Sequence, residues 1–247
     1  MKPPLPCSEM VDIHVHILPG IDDGPQTLEE SLALAQCYAR VGIRKIICTS
    51  HFIPGTAWAA TREQMLEKMA ATQEYLRGHD VDLTLYPGME VAFHRKLRGR
   101  LEAGKVLPLA GSSRYLLEPS FSDSAEELLA TIESLAGDGY RFILAHPERI
   151  PAIQATVDSV VAFAGESDLQ IQLNIGSLLG RYGKESQRVG MEFINRGCVQ
   201  YLASDAHGAA SRRPPGAEDW QELADMVGID LLVRCCCTNP AKLIAGV

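Results

Sequence analysis

The chain has 247 residues, 46% of them hydrophobic, enough for a sizeable core in one α/β domain spanning residues 1–247. Its formal net charge of −8 gives long nucleic acid no overall attraction, although a local basic pocket can still hold one phosphate. The opening "MKPPLPCSEM" lacks the apolar centre of a signal peptide and no run reaches the ~20 apolar residues of a membrane span, so a cytoplasmic protein without membrane insertion is expected.

In chain order, the first expected unit is a strand around Val11 to Val15, then a helix capped by Thr27 with Glu30 three residues on. Leu28, Leu32, Ala35 and Ala39 recur at helical spacing until Gly42. "RKIICTSH" reads as a second strand, Thr61 to Arg77 as a helix with Met65, Met69 and Leu76 on one face, and "LTLYPGME" as a third strand. "RYLLEP", "RFILAHPE", "LQIQLNIG" and "VQYLASDAH" follow, separated by helical patterns such as Ser124 to Ala136 and Lys184 to Arg196. About seven strands alternating with helices, with no linker longer than "SRRPPG", indicate a β/α barrel.

Seven cysteines, an odd count without CxxC spacing, point to reduced thiols rather than a disulfide framework. The run Cys235-Cys236-Cys237 is expected to pack beside a "TNP" turn. No cysteine is followed six positions later by arginine, which excludes the thiolate loop of a cysteine-based phosphatase.

In a β/α barrel the C-terminal strand ends form the active-site face. The apolar runs end in His14 and His16, His51, Glu90, Glu118, His146, and Asp205 with His207; the sixth run, ending near Asn174, offers no good ligand. Strand alternation places His14 and His16 on one face, with Ile13 and Val15 turned the other way. Five imidazoles and three carboxylates converging on one mouth call for cations, exceed a four-ligand structural zinc site, and include no thiolate. Such mixed ligation suits Mn, Fe or Zn, and two ions ~3.5–4 Å apart are the arrangement used for phosphoester hydrolysis. Arg149, Arg212 and Arg213 lie close enough in sequence to clamp phosphate, while His79 and His94 read as surface residues.

The motifs "DIHVHILPGIDDGPQTLEESL", "TSH", "PGME", "LLEP", "AHPER", "GSLLGRYG" and "ASDAH" run in order through nearly the whole chain. Together they resemble the manganese-dependent tyrosine phosphatases of bacterial capsule and exopolysaccharide systems, in the polymerase-and-histidinol-phosphatase superfamily. The resemblance implies a distorted seven-stranded β/α barrel holding two or three ions, and action on the tyrosine-rich tail of a partner kinase. It makes His14, His16, His51, Glu90, Glu118, His146, Asp205 and His207 ligands, with Arg149 and Arg213 on phosphate. Ser50 and Phe52 depart from the family's usual proline and second histidine around the second-strand histidine, which bears on the shape of the loop "FIPGTAWAA". The competing readings are a phosphoesterase of the same fold acting on histidinol phosphate or a nucleotide, an amidohydrolase, and a barrel that binds without turnover. The oligomeric state is not encoded in any of these motifs.

Overall fold

The computed structural model describes residues 7–122 and 124–245. The stretch "MKPPLP", which opens the segment read as lacking a signal peptide, falls outside those residues. Among the described residues nine parallel strands form two sheets. One has the order β1 (Val11–Val15), β2 (Lys45–Cys48), β4 (Thr84–Tyr86); the other runs β3 (His51–Phe52), β5 (Glu90–Ala92), β6 (Arg114–Glu118), β7 (Arg141–Ala145), β8 (Gln170–Asn174), β9 (Tyr201–Ala203).

Nine segments reduce to the seven expected positions because two strands are broken midway. "RKIICTSH" splits into β2 and β3 around Thr49 and Ser50, and "LTLYPGME" splits into β4 and β5 around Pro87 to Met89. The sheets meet where β1 approaches β9: the His16 amide donates to the Ala206 carbonyl at 2.9 Å and the Asp205 amide to the His14 carbonyl at 3.0 Å. Thr27 and Thr61 cap the helices Leu28–Val41 and Arg62–Gly78 as the sequence suggested.

Two apolar layers flank the strands. Val11, Ile13, Ile47, Leu116, Ile143 and Ala203 belong to an inner cluster. Val15, Ile46, Cys48, Leu117, Leu144 and Leu202 pack outward with helical residues such as Leu34, Tyr38 and Leu128. This corrects the expectation that Ile13 and Val15 share a face. The β1 register slips between Asp12 and Val15, two steps on β2 matching three on β1. The extra residue reverses the alternation, so Ile13 points inward and Val15 outward. Without the bulge, a strand that buries Val11 and Ile13 inside would turn His14 out.

A second correction concerns the thiols. Cys7 and Cys237 form a disulfide across 230 residues. Parity and local spacing carry no information about two cysteines that only the tertiary fold brings together. The other five are unpaired, and Cys235 and Cys236 are buried in the core as expected. "TNP" is not a turn: Thr238 closes a π-helical stretch, and Asn239 and Pro240 start the helix Asn239–Ile244, where Pro is accommodated in the first turn.

Candidate metal centre

The strand ends deliver their side chains to one point. His14 and His16 arrive from β1, His51 from β3, Glu90 from β5, Glu118 from β6, His146 immediately after β7, and Asp205 and His207 after β9. All are buried except Glu118, which keeps partial exposure. The loop after β1 then folds back over His16. Its tight approach requires Gly24, because a Cβ there would stand 2.6 Å from the His16 carbonyl oxygen.

That loop supplies two carboxylates the strand-end reading missed. Asp22 Oδ2 lies 2.8 Å from His16 Nδ1 and accepts the His51 amide at 2.9 Å. Asp23 Oδ1 stands 3.2 Å from His207 Nε2 and 3.5 Å from His51 Nε2. Both are in "IDDG", a doubled carboxylate before a glycine turn, which was the available signal. Gln172 Oε1 holds His14 Nδ1 at 3.0 Å, leaving Nε2 to face the cluster. Carboxylates and amides on the far nitrogen of an imidazole fix its ring and tautomer in the manner of metal-site support.

Four overlapping sets of donor atoms result, each with its atoms within 4.8 Å of one another: His16, Asp23, His51 and His207; His14, Glu90 and His146; His14, His16 and Asp205; His51, Glu90 and Glu118. The eight residues expected from the sequence are all among them, joined by Asp23. Glu90 is central, its Oε1 2.9 Å from His146 Nε2 and 3.2 Å from His14 Nε2, its Oε2 2.9 Å from His51 Nδ1 and 3.3 Å from His16 Nε2.

Burial and mutual attraction pull against each other here. Burial lowers the His14 pKa, but the Glu90 and Asp205 carboxylates outweigh it and bring it to about 9. His51 is likewise depressed by burial and raised further by Glu90 and Glu118, to about 11. Burial opposes the charge on Glu90, yet His14 and His51 hold it well below the usual carboxylate range. His207 is lowered by burial and by the His16 beside it.

The residues fit divalent ions. His51 Nδ1, Glu90 Oε2, Asp205 Oδ1 and His207 Nε2 are buried without a hydrogen-bond partner among the described residues. His51 Nδ1 and Glu90 Oε2 are close but out of line for a hydrogen bond. Each such atom costs on the order of 1–3 kcal/mol if left unsatisfied. Cations with nitrogen and oxygen ligation satisfy such atoms together.

Arginines border the cluster. Arg149, on the 3₁₀ turn Pro147–Arg149, donates from Nη1 to Asp205 Oδ2 at 2.8 Å, and its guanidinium lies 4.3 Å over the Tyr182 ring. Arg212 donates to the same Asp205 oxygen at 2.8 Å and to Asp23 Oδ2 at 3.1 Å; its Nε is buried without an acceptor. Arg213 instead donates to Asp219 Oδ2 at 2.7 Å and to the Pro214 carbonyl. His146, Asp205 and Arg212 have left-handed backbones, with φ of 31°, 52° and 47°. Non-glycine residues hold that conformation at a cost, and such strain concentrates at functional sites. His79 caps its helix on the surface, Nδ1 2.8 Å from the Tyr75 carbonyl oxygen.

Beside the cluster opens a groove of about 710 Å³ that begins at His51 and Glu118 and is walled by Trp58, Phe93 and Phe121. Trp58 stacks on His51, ring centroids 5.4 Å apart and planes 11° from parallel. Phe121 is 64% exposed. His94 is exposed, as expected, but also lines this groove.

Residues 10–245 match the family model described as capsular polysaccharide synthesis, CpsB/CapC. The chain is 30% identical over 205 residues to the tyrosine-protein phosphatase YwqE of Bacillus subtilis, covering 82% of this chain and 79% of that one. It is 28% identical over 243 residues to the tyrosine-protein phosphatase CpsB of Streptococcus pneumoniae, covering 95% and 98%. A crystal structure from work on YwqE and CpsB as unique metal-dependent tyrosine phosphatases superposes with TM-score 0.85 at 27% identity, over 95% of this chain and 94% of that one. A β-aspartyl dipeptidase of Fervidobacterium islandicum shares the fold alone, at 13% identity and TM-score 0.54 over 95% and 72%.

Proposed function

The chain belongs to the capsular polysaccharide synthesis family CpsB/CapC, and from that premise we propose that it is a metal-dependent protein-tyrosine phosphatase. The observation that carries this reading is the aromatic-walled groove opening directly onto His51 and Glu118. A phenyl phosphate needs an apolar slot next to the reacting phosphorus, and Trp58, Phe93 and Phe121 supply one. A small polar phosphate would leave those rings uncovered.

We assign His14, His16, Asp23, His51, Glu90, Glu118, His146, Asp205 and His207 to hold two or three ions, with Mn as the metal and Fe or Zn as alternatives. Ions bound there supply an acidified water and a counter-charge for the phosphoryl oxygens. The chain's own groups do the rest. Gln172 and Asp22 orient His14 and His16. The guanidiniums of Arg149 and Arg212 bracket Asp205 and present donors to nonbridging phosphate oxygens, which matches fork geometry to charge. We move this role from Arg213 to Arg212, because Arg212 reaches Asp205 and Asp23 in the cluster whereas Arg213 turns to Asp219 outside it. Trp58 and its neighbours exclude water from one side of the aryl ring.

The whole chain reads as one metallophosphatase domain acting in the cytoplasm on a phosphotyrosine protein of capsule or exopolysaccharide synthesis, its partner the tyrosine-rich tail of a bacterial kinase. No described helix is long and apolar enough to cross a membrane. The test is a panel on metal-stripped protein reloaded with Mn, Fe, Zn or Mg, comparing a phosphotyrosine peptide with histidinol phosphate. The peptide is expected to be preferred, with Mn the best activator. Preference for histidinol phosphate would overturn the assignment.

A further inference from the structure

A second recess of about 360 Å³ lies across the 53–60 loop from the aromatic groove, and Pro54 lines both. Its position follows from β3, where consecutive residues part company: His51 lines the groove and Phe52 the recess. Arg62 enters from the start of the helix Arg62–Gly78, Arg100 from the helix Leu97–Glu102, and Lys105 from the turn that follows it.

These three cations share one concavity. Among the described residues none of them makes a salt bridge, whereas Arg95 and Arg98 on the same segment meet Glu127 and Asp138. Glu63 is the lone carboxylate of the lining. A molecule of net charge −8 thus concentrates three positive charges, against the single carboxylate of Glu63, in one concavity beside its groove for substrate. Unpaired like charges repel, so such a cluster gains free energy when an anion enters it. The recess adjoins the groove through a shared residue, so that anion is carried by the polypeptide already bound there.

We propose that Arg62, Arg100 and Lys105 form a docking recess for an anionic side chain flanking the phosphotyrosine, so that the enzyme selects acidic or multiply phosphorylated polypeptide. The proposal rests on the phosphotyrosine-protein reading above. The anion is a carboxylate or a second phosphate, and peptides separate the two sources. Three peptides with the same phosphotyrosine are compared: one with neutral flanks, one with Asp and Glu flanks, one with a second phosphotyrosine nearby. Each is assayed with the metal-loaded wild type and with the triple variant R62Q/R100Q/K105Q, alongside para-nitrophenyl phosphate.

The wild type should favour an anionic peptide by about five- to tenfold in kcat/KM, acting through KM, as expected for a few solvent-accessible ion pairs. The preference should fade at about 0.5 M salt, where the screening length shrinks to a few ångströms. In the triple variant it should vanish while the neutral peptide and para-nitrophenyl phosphate turn over as before. Gain from the second phosphotyrosine alone identifies phosphate as the ligand; gain from both identifies any carboxylate or phosphate. A wild type indifferent to flanking charge, or a triple variant that keeps the preference, would overturn the proposal. If neutral peptide is hydrolysed in either case, the phosphatase reading survives; if no phosphotyrosine peptide is hydrolysed, both fall.

Discussion

Arg149 and Arg212, 63 positions apart in sequence, donate to the same atom, Asp205 Oδ2, each at 2.8 Å. Asn174 Nδ2 adds a third donor to it at 2.9 Å, while Oδ1 stays unpartnered, 3.5 Å from His14 Nε2, His16 Nε2 and His207 Nδ1. One carboxylate thus faces arginines with one oxygen and imidazoles with the other. Asp205→Asn should disturb both faces, since an amide places a donor NH₂ against either the arginines or the ion site. Loss of metal and of activity together is expected, as for His14→Ala. His79→Ala, remote from the cluster, should change neither. Metal analysis and kinetics on the same preparations check this; essential His79 with dispensable His14 would refute the site.

Arg149→Met should retain metal and lower kcat/KM by on the order of a hundredfold, the range for removing one donor that stabilises developing charge. Lysine should restore only part, because it lacks the planar fork. Tyr182→Phe should be close to wild type, since the ring beneath Arg149 remains, whereas Tyr182→Ala should cost several-fold by freeing the guanidinium.

The adjacent arginines should separate sharply. Arg212→Met is expected to fall within tenfold of Arg149→Met, while Arg213→Met should keep most activity and lose some thermal stability through Asp219. The reverse order in kcat/KM would return the phosphate role to Arg213.

Metal uptake should expel protons. With pKa values of about 9 and about 11, His14 and His51 are protonated in the metal-free cluster at neutral pH, and an ion must displace those protons. Affinity should therefore rise with pH across the neutral range. Calorimetric titration of Mn into stripped protein, in buffers of different ionisation enthalpy, should report release of one or more protons; a heat independent of buffer would contradict it.

Thiol chemistry should be irrelevant to turnover. Burial pushes the Cys48, Cys235 and Cys236 thiols up, away from the nucleophilic thiolate, and Cys7 is tied to Cys237. Alkylation that leaves the fold intact should spare activity, while chelation should abolish it and Mn restore it. Loss of activity on alkylation in folded, metal-loaded protein would exclude the mechanism.

The clustering of His14, His16, His51, Glu90, Glu118, His146, Asp205 and His207 was legible because strand ends of an α/β fold are visible as breaks in apolar runs, and these eight fall at those breaks. Asp23 escaped because it sits on a loop whose return path depends on Gly24, which no period reveals. The β1 bulge escaped because alternation in sequence reads the same with or without a register slip. Arg212 and Arg213 are neighbours, and the sequence does not reveal the left-handed backbone at Arg212 or that Arg212 is the one that meets Asp205. The Cys7–Cys237 pair needed the assembled core.

The donors gathered around Glu90 come from residues 14 to 207 and from β1, β3, β5, β6, β7 and β9 or their ends. The stretch from His14 to Glu118 carries six of the nine, but His146, Asp205 and His207 arrive only with the C-terminal half of the chain. A polypeptide that stops short of β9 lacks Asp205 and His207, and so cannot complete the donor sets that join His16 to either of them. The full cluster is therefore assembled only where β9 comes beside β1, at the backbone bonds that join His16 to Ala206 and Asp205 to His14.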